Sequence, residues 1–323
     1  MNVALATEEV AGLQMLRALT GSGHQLVAVL TTPPKPGAIA ASVWDVARSS
    51  GFQTWPAKLV RDPRLADLLH SAHVDILLNV YSLYIVHRDV LAAPRLGAFN
   101  LHPGPLPRYA GLNAVSWAIY RGEETHGVTV HKMESEIDAG PIVYQSFFPI
   151  GDSATGLSVS FKCVREGVKL ILKLLEVAST APDRIPLSPQ DLKRREYFSA
   201  RAPNNCQISW SSPVRMVLNF VRACDYLPFR SPWGHPRTQF GDREISVIKT
   251  EATGRGCNAL PGTVGRHVDS GVLVACLDEW VLVKQLKIDD KHVPAAHVLK
   301  FGDHLGCETN GHSFTETTGY AGS

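Results

Sequence analysis

Three polar side chains in this chain have the types and spacing to act on a carbonyl group. Asn100 and His102 sit two residues apart in Phe99-Asn100-Leu101-His102-Pro103-Gly104-Pro105-Leu106-Pro107-Arg108-Tyr109-Ala110-Gly111. In an extended strand that spacing sends both side chains to one face. Asp138 opens Asp138-Ala139-Gly140-Pro141-Ile142, an acid at a turn before an apolar run. When an amine attacks an acyl carbon, the carbonyl oxygen becomes an oxyanion, and one preset N–H donor lowers that barrier by roughly 3 to 4 kcal/mol. The Asn100 amide supplies such a donor. His102 titrates near neutrality and can move a proton, and Asp138 can orient the imidazole and stabilise its cation. Singly, each signal is weak, because Asn and Asp are common in turns and most histidines are structural.

The elements that must position these groups follow from hydrophobic periodicity. Asn2–Ala6, Gln25–Thr31, Val74–Val80 and Gly97–Leu101 read as strands. Glu9–Leu19, Ala40–Ser49, Asp62–His70 and a segment near Arg88–Leu91 read as helices. Alternation of this kind builds a doubly wound α/β sheet, in which chemistry sits beyond the carboxyl ends of the strands. Thr32-Pro33-Pro34-Lys35-Pro36-Gly37 is a loop, since three prolines remove donors and fix φ. Gly127–Met133 and Ile142–Pro149 read as further strands. Thr155–Ala178 reads as a long helix with Leu157, Phe161, Val164, Val168, Ile171, Leu172 and Leu175 along an inward stripe. The first turn, Ala6-Thr7-Glu8-Glu9, has no glycine fingerprint, and its acids would repel a pyrophosphate. Residues 1–181 therefore form the predicted catalytic domain. Residues 182–206, opened by the proline-rich Pro182–Pro189, form a linker, 207–305 a small β-barrel, and 306–323 a mobile polar tail.

Composition bounds the rest. The 323 residues carry 32 basic and 30 acidic side chains, a formal charge of +2, so no global field gathers nucleic acid. No apolar window is long enough to span a bilayer, and the start MNVALATEEV has acids where a signal peptide has bases, so a cytoplasmic protein without membrane contact is expected. The six cysteines, 163, 206, 224, 257, 276 and 307, are scattered and never form CxxC, the pattern of reduced structural thiols. A metal site on His102, His126 and His131 lacks any HExxH-like cluster, and no metal is expected.

The segment FNLHPGPLPRYAG, followed by WAIYRGEETHGVTVHKMESEIDAGPIVYQ, resembles the methionyl-tRNA formyltransferase superfamily, which includes sugar N-formyltransferases and formylation enzymes of peptide antibiotic pathways. The shared pattern is Asn-x-His-Pro, a Leu-Pro loop, Trp-Ala-Ile, Gly-Val-Thr-x-His and Asp-x-Gly-x-Ile, all present in order. The resemblance covers roughly residues 1 to 302 and extends to a C-terminal OB-like domain. It implies a folate-dependent N-formyltransferase that takes its one-carbon unit from 10-formyltetrahydrofolate, with Asn100, His102 and Asp138 as the catalytic residues. It further implies a pterin pocket lined by Leu83, Tyr84, Ile85 and Val86 on one wall, with Glu134 and Ile137 in the loop that forms the other.

Where the chain departs from that pattern, the acceptor comes into view. The transfer-RNA members carry a longer basic insertion after the second strand and an arginine in the loop after the Leu-Pro motif. Here residues 31–47 hold one base, Lys35, and the loop position is Ala110. Binding tRNA needs several phosphate contacts, so these losses argue against tRNA and for a small-molecule amine: an amino sugar, an aminoglycoside-like antibiotic or an amino acid derivative. Glu134, Glu136 and Asp152 are acids near the site that would attract a cationic amine, and Asp225–Trp233 is a segment that would line an acceptor groove or pack one domain on the other. A hydrolase delivering the same formyl group to water, a formimidoyl transferase and a non-catalytic folate-binding protein are the competing expectations. The oligomeric state is open.

Overall fold

The computed structural model describes residues 1–35, 42–269 and 271–306. The end of the expected loop at Pro36-Gly37, the start of the helix expected from Ala40, and the tail beyond Gly306 lie outside the described residues. The chain divides into two compact units, one of residues 1–201 with 222–233, the other of 202–221 with the remainder.

In the first unit, strands Asn2–Thr7 (β1), Gln25–Thr31 (β2), Thr54–Pro56 (β3), Ile76–Val80 (β4) and Gly97–His102 (β5) alternate with helices Glu9–Thr20 (α1), Val43–Ser49 (α2), Leu65–Ser71 (α3) and Arg88–Ala92 (α4). The short strand Ala110–Gly111 (β6), helix Ala114–Tyr120 (α5), strands Thr125–Lys132 (β7) and Ile142–Pro149 (β8), helix Gly156–Thr180 (α6) and strand Tyr197–Phe198 (β9) complete it. The main sheet runs β3-β2-β1-β4-β5-β7-β8. Its first five strands pair in parallel, whereas β5–β7 and β7–β8 pair antiparallel. All five residues of β4 are buried, as expected of a strand covered on both faces. The strand order reverses between β1 and β4, where open α/β sheets leave a crevice for ligands.

Helix α6 starts on a reciprocal cap: the Thr155 hydroxyl accepts from Ser158 N, and Thr155 N donates to Ser158 Oγ. Its buried stripe is Val159, Cys163, Val164, Ile171, Leu174, Leu175 and Ala178, rotated from the expected one. Leu157 and Phe161 instead face an open cavity, together with Val164, and Leu13 of α1 does the same. Periodicity found these apolar side chains but could not tell core from cavity wall.

Residues 182–201, expected as a linker, belong to the first unit. Ser188 bridges to Ile142, and β9 pairs in parallel with β6. The segment Arg222–Trp233 also belongs to this unit. The Tyr226 hydroxyl lies 2.9 Å from Ser116 Oγ.

The second unit contains helix Val214–Cys224 (α7), up to Val221, and strands Arg237–Phe240 (β10), Arg243–Gly256 (β11), Val264–Val268 (β12), Gly271–Ala275 (β13), Glu279–Ile288 (β14) and Lys291–Pro294 (β15). They form an antiparallel sheet in the order β10-β11-β14-β13-β12, with β15 on β14. The small β-barrel expected here is not closed by strand ladders: among the described residues no ladder joins β10 to β12. His304 and Leu305 make single bridges to Thr263 and Phe240 instead. Trp210 Nε1 donates to Thr238 Oγ1 at 2.9 Å, which satisfies a buried indole inside this unit.

Candidate active site

Asn100 and His102 leave the same face of β5 near its carboxyl end. In the ladders flanking β5, Asn79 is abreast of Asn100 and Asn100 is abreast of His131, so three polar side chains form a row across β4, β5 and β7. Asp138 arrives from the turn between β7 and β8. Its Oδ2 accepts from Gly111 N at 2.9 Å and lies 3.5 Å from His102 Nδ1, while its Oδ1 is 3.4 Å from His131 Nε2 and 3.5 Å from Asn100 Nδ2. The structure thus gathers Asn100, His102 and Asp138 at one spot, and it adds His131, which the sequence had suggested only as a metal ligand and not as a member of this cluster. The signal was available, because His131 ends the Gly127-Val128-Thr129-Val130-His131 stretch of the family pattern.

The tautomers follow from the partners. His102 Nε2 faces the Tyr109 carbonyl at 2.7 Å, and a carbonyl only accepts, so Nε2 carries a proton and Nδ1 is the nitrogen turned toward Asp138. His131 Nδ1 faces the Lys132 carbonyl at 3.0 Å, and its Nε2 is 3.0 Å from the Asn100 amide nitrogen, from which it accepts. Burial pushes the His102 pKa below its ordinary value, and the Asp138 charge only partly offsets that. Burial acts to raise the Asp138 carboxyl, but the charge His102 carries when protonated and the Gly111 N–H outweigh it and hold it below the usual carboxylate range. The pair at neutral pH is therefore a neutral imidazole beside a carboxylate, a base with a ready counter-charge.

Two glycines permit this packing. A Cβ on Gly104 would meet His102 Nε2 at 2.8 Å and the Tyr109 carbonyl at 3.0 Å. Gly111 adopts φ +89, and a Cβ there would meet the Phe198 carbonyl at 2.3 Å. Gln190, from the segment expected as linker, donates to the carbonyls of Asp138 at 2.8 Å and Gly140 at 2.7 Å, and Arg195 donates to the Ile137 carbonyl at 2.8 Å. Asp138 itself sits at φ 55, and Glu9, Tyr81, Tyr109 and Asn113 around the site are also left-handed. Strained non-glycine residues gathered at one place are a mark of functional sites.

The polar cluster opens into a cavity of about 1170 Å³ beyond the carboxyl ends of β1, β2, β4 and β5. Leu83, Tyr84, Ile85, Val86, Glu134 and Ile137 all line it. Leu83 and Ile85 are 71% and 69% exposed, which is unusual for large apolar side chains and gives the cavity a greasy wall, whereas Val86 is packed into the hydrophobic core behind it. Glu8, Glu9, Glu136, Tyr226, Phe229 and Arg230 line other parts. Asp152 is not among the lining residues.

The chain belongs to the formyl transferase family. The formyl transferase model matches residues 1–175, and the model of the formyl transferase C-terminal domain matches residues 202–301. A methionyl-tRNA formyltransferase of Roseiflexus castenholzii is 29% identical over 303 residues, covering 91% of this chain and 93% of that protein. Among solved structures, an N-formyltransferase of Helicobacter canadensis, in complex with folinic acid and dTDP-3-aminofucose, superposes with TM-score 0.66 at 17% identity over 87% of this chain and 97% of that one. HypX of Aquifex aeolicus, in complex with tetrahydrofolic acid, gives TM-score 0.64 at 20% identity over 92% of this chain and 46% of the other. This chain thus spans about half the length of HypX. At these identities the structural likeness is one of fold.

Proposed function

We propose that the protein transfers a formyl group from 10-formyltetrahydrofolate to the amine of a small molecule in a biosynthetic pathway. The observation that carries this reading is the convergence of Asn100, His102 and Asp138 at the floor of one large, partly apolar cavity. The exposed Leu83 and Ile85, with Ile137 across from them in the 134–138 loop, suit a flat bicyclic ring such as a pterin. Two of the structural relatives were crystallised with folates.

The donor supplies a formyl carbon bound to an amide-like nitrogen; the remaining work falls to the chain's own residues. The Asn100 amide nitrogen reaches both His131 and Asp138, and in this reading one of its N–H groups donates to the carbonyl oxygen as it becomes anionic. His102 accepts the proton of the attacking amine at Nδ1 while the new C–N bond forms. It returns that proton to the departing nitrogen as the old C–N bond breaks. Between these steps the Asp138 carboxylate stabilises the imidazolium.

Charge supports a small acceptor. Among the described residues, the lining carries the carboxylates of Glu8, Glu9, Glu134, Glu136 and Asp138 against a single guanidinium, Arg230. Such a wall attracts a cationic amine and lacks the phosphate contacts that a tRNA acceptor requires. We read the antiparallel unit as an OB-like accessory domain. The test is a panel of amino sugars, aminoglycosides, amino acid derivatives and methionyl-tRNA incubated with 10-formyltetrahydrofolate, following tetrahydrofolate release and a formyl mass gain. A small amine alone among these should be formylated. Formylation of methionyl-tRNA alone, or folate release that no amine accelerates, would refute the small-amine reading.

A further inference from the structure

The cluster has a fifth polar member that the reaction scheme does not use. Asn79 lies in β4, whose sequence Ile76-Leu77-Leu78-Asn79-Val80 is otherwise apolar and is buried throughout. Its Nδ2 donates to Asn100 Oδ1 at 2.8 Å, and its own Oδ1 is buried without a partner. A buried acceptor left unsatisfied destabilises the fold, and a leucine of similar volume would avoid that penalty. Asn79 therefore needs a reason other than stability.

The reason lies in the symmetry of the carboxamide. The oxygen and nitrogen of Asn100 have nearly the same shape, so packing alone does not choose between the two orientations. Turned over, the Asn100 oxygen would face His131 and stand 3.5 Å from the Asp138 carboxylate, and no N–H would point at the site. The Asp138 carboxylate already disfavours that state, and Asn79 adds to the bias, because its NH2 donates to the Asn100 oxygen. Resting on the formyl-transfer reading of this site, we infer that Asn79 is a positioning residue: it supports the Asn100 amide with NH2 toward His131, Asp138 and the cavity, and through Asn100 it adds to the preference for the Nδ1–H tautomer of His131 that the Lys132 carbonyl sets.

The chain of bonds is complete in that state. Asn79 donates to Asn100, Asn100 donates to His131 Nε2, and His131 donates from Nδ1 to the Lys132 carbonyl. Every link runs in one direction, and the Lys132 carbonyl, which can only accept, anchors its far end.

Two measurements test this. The first reads ¹⁵N shifts of the His131 ring in the ligand-free protein, which separate the two neutral tautomers without any turnover. The wild type should show Nδ1–H, and Asn79→Leu should lose that preference. The second is steady-state kinetics with the best acceptor of the amine panel. Asn79→Leu should lower kcat 10- to 100-fold while KM for the formyl donor stays within about threefold. Asn79→Asp, which when ionised accepts but does not donate and so favours the reversed amide, should fall further. A wild-type His131 carrying its proton on Nε2, or a folded Asn79→Leu with wild-type kcat, overturns the inference. Should Asn79→Leu fail to fold, Asn79→Asp decides by the same two measurements: wild-type kcat with an unchanged His131 tautomer overturns the inference. A protein inactive toward every amine but showing the Nδ1–H tautomer would sink the formyl-transfer reading and leave the hydrogen-bond chain standing.

Discussion

His102 and Tyr109 are joined through the imidazole Nε2 and the Tyr109 carbonyl oxygen at 2.7 Å, a contact that leaves Nδ1 as the nitrogen available to the site. Since Asp138 stands 3.5 Å from that nitrogen, protonation of His102 creates an ion pair in a buried place.

The pH profile should report this arrangement. In the proposed reaction the base is neutral His102, so kcat/KM should be full above its pKa and fall as pH drops through it. Burial lowers that pKa, and the acid limb should therefore lie below the ordinary 6.5. Asp138 raises the same pKa, so Asp138→Asn should move the limb to still lower pH and reduce the plateau about 100-fold or more. A limb that moves upward in the variant would contradict the assignment.

Asn100→Ala removes the donor expected to meet the developing oxyanion. Turnover should fall by about two to three orders of magnitude. Binding of the formyl donor, measured by calorimetry with a non-reactive folate, should change by only a few-fold. A loss confined to binding would place Asn100 outside the chemical step.

The greasy wall can be tested without touching the catalytic cluster. Leu83→Asp and Ile85→Asp alter side chains that are 71% and 69% exposed, so thermal unfolding should shift little. Folate binding should weaken about tenfold or more, since a charge would replace apolar contact. Unchanged folate affinity in both variants would move the donor to another part of the cavity.

Gly111→Ala should damage both fold and activity. The φ of +89 strains any side chain, and the new Cβ would collide with the Phe198 carbonyl at 2.3 Å. Shifting that backbone pulls the Gly111 N–H from Asp138 Oδ2. A destabilisation of about 2 kcal/mol in denaturant titration and at least a tenfold loss of turnover are expected.

Stability should also depend on pH through His126, whose Nε2 donates to the Pro103 carbonyl at 2.9 Å. Burial lowers its pKa from 6.5 to about 4, so the folded state holds it neutral while the unfolded chain protonates it. The stabilisation is full above pH 6.5 and is lost as pH falls toward 4, a decline on the order of 3 kcal/mol for this group. His126→Gln should flatten the slope of unfolding free energy across that window. Part of it should remain, because the His102 pKa is lowered in the same sense.

Elements with a strong periodic pattern and clear boundaries were legible before any coordinates. The strands Gln25–Thr31 and Ile142–Pro149 fall on their expected bounds, and the helix expected over Thr155–Ala178 spans Gly156–Thr180. Helices Ala114–Tyr120 and Val214–Cys224 were passed over. The first is only seven residues long and follows a left-handed Asn113, so it lacks the usual start signal and the length over which a period becomes visible. The edge strand Thr54–Pro56 is too short to alternate at all.

By itself the sequence determined the alternation that builds the parallel sheet, the strand end that aims Asn100 and His102 to one face, and the motif pattern that marks Asp138. Those are local properties, carried by spacing within a few residues. Tertiary structure alone decided the rest: Asn79 set against Asn100 from 21 positions away, Gly111 holding Asp138 across 27, and Gln190 clamping the Asp138 turn across 52. Hydrogen bonds of this kind depend on which strands become neighbours and in what register, and a register is fixed only when buried faces pack together.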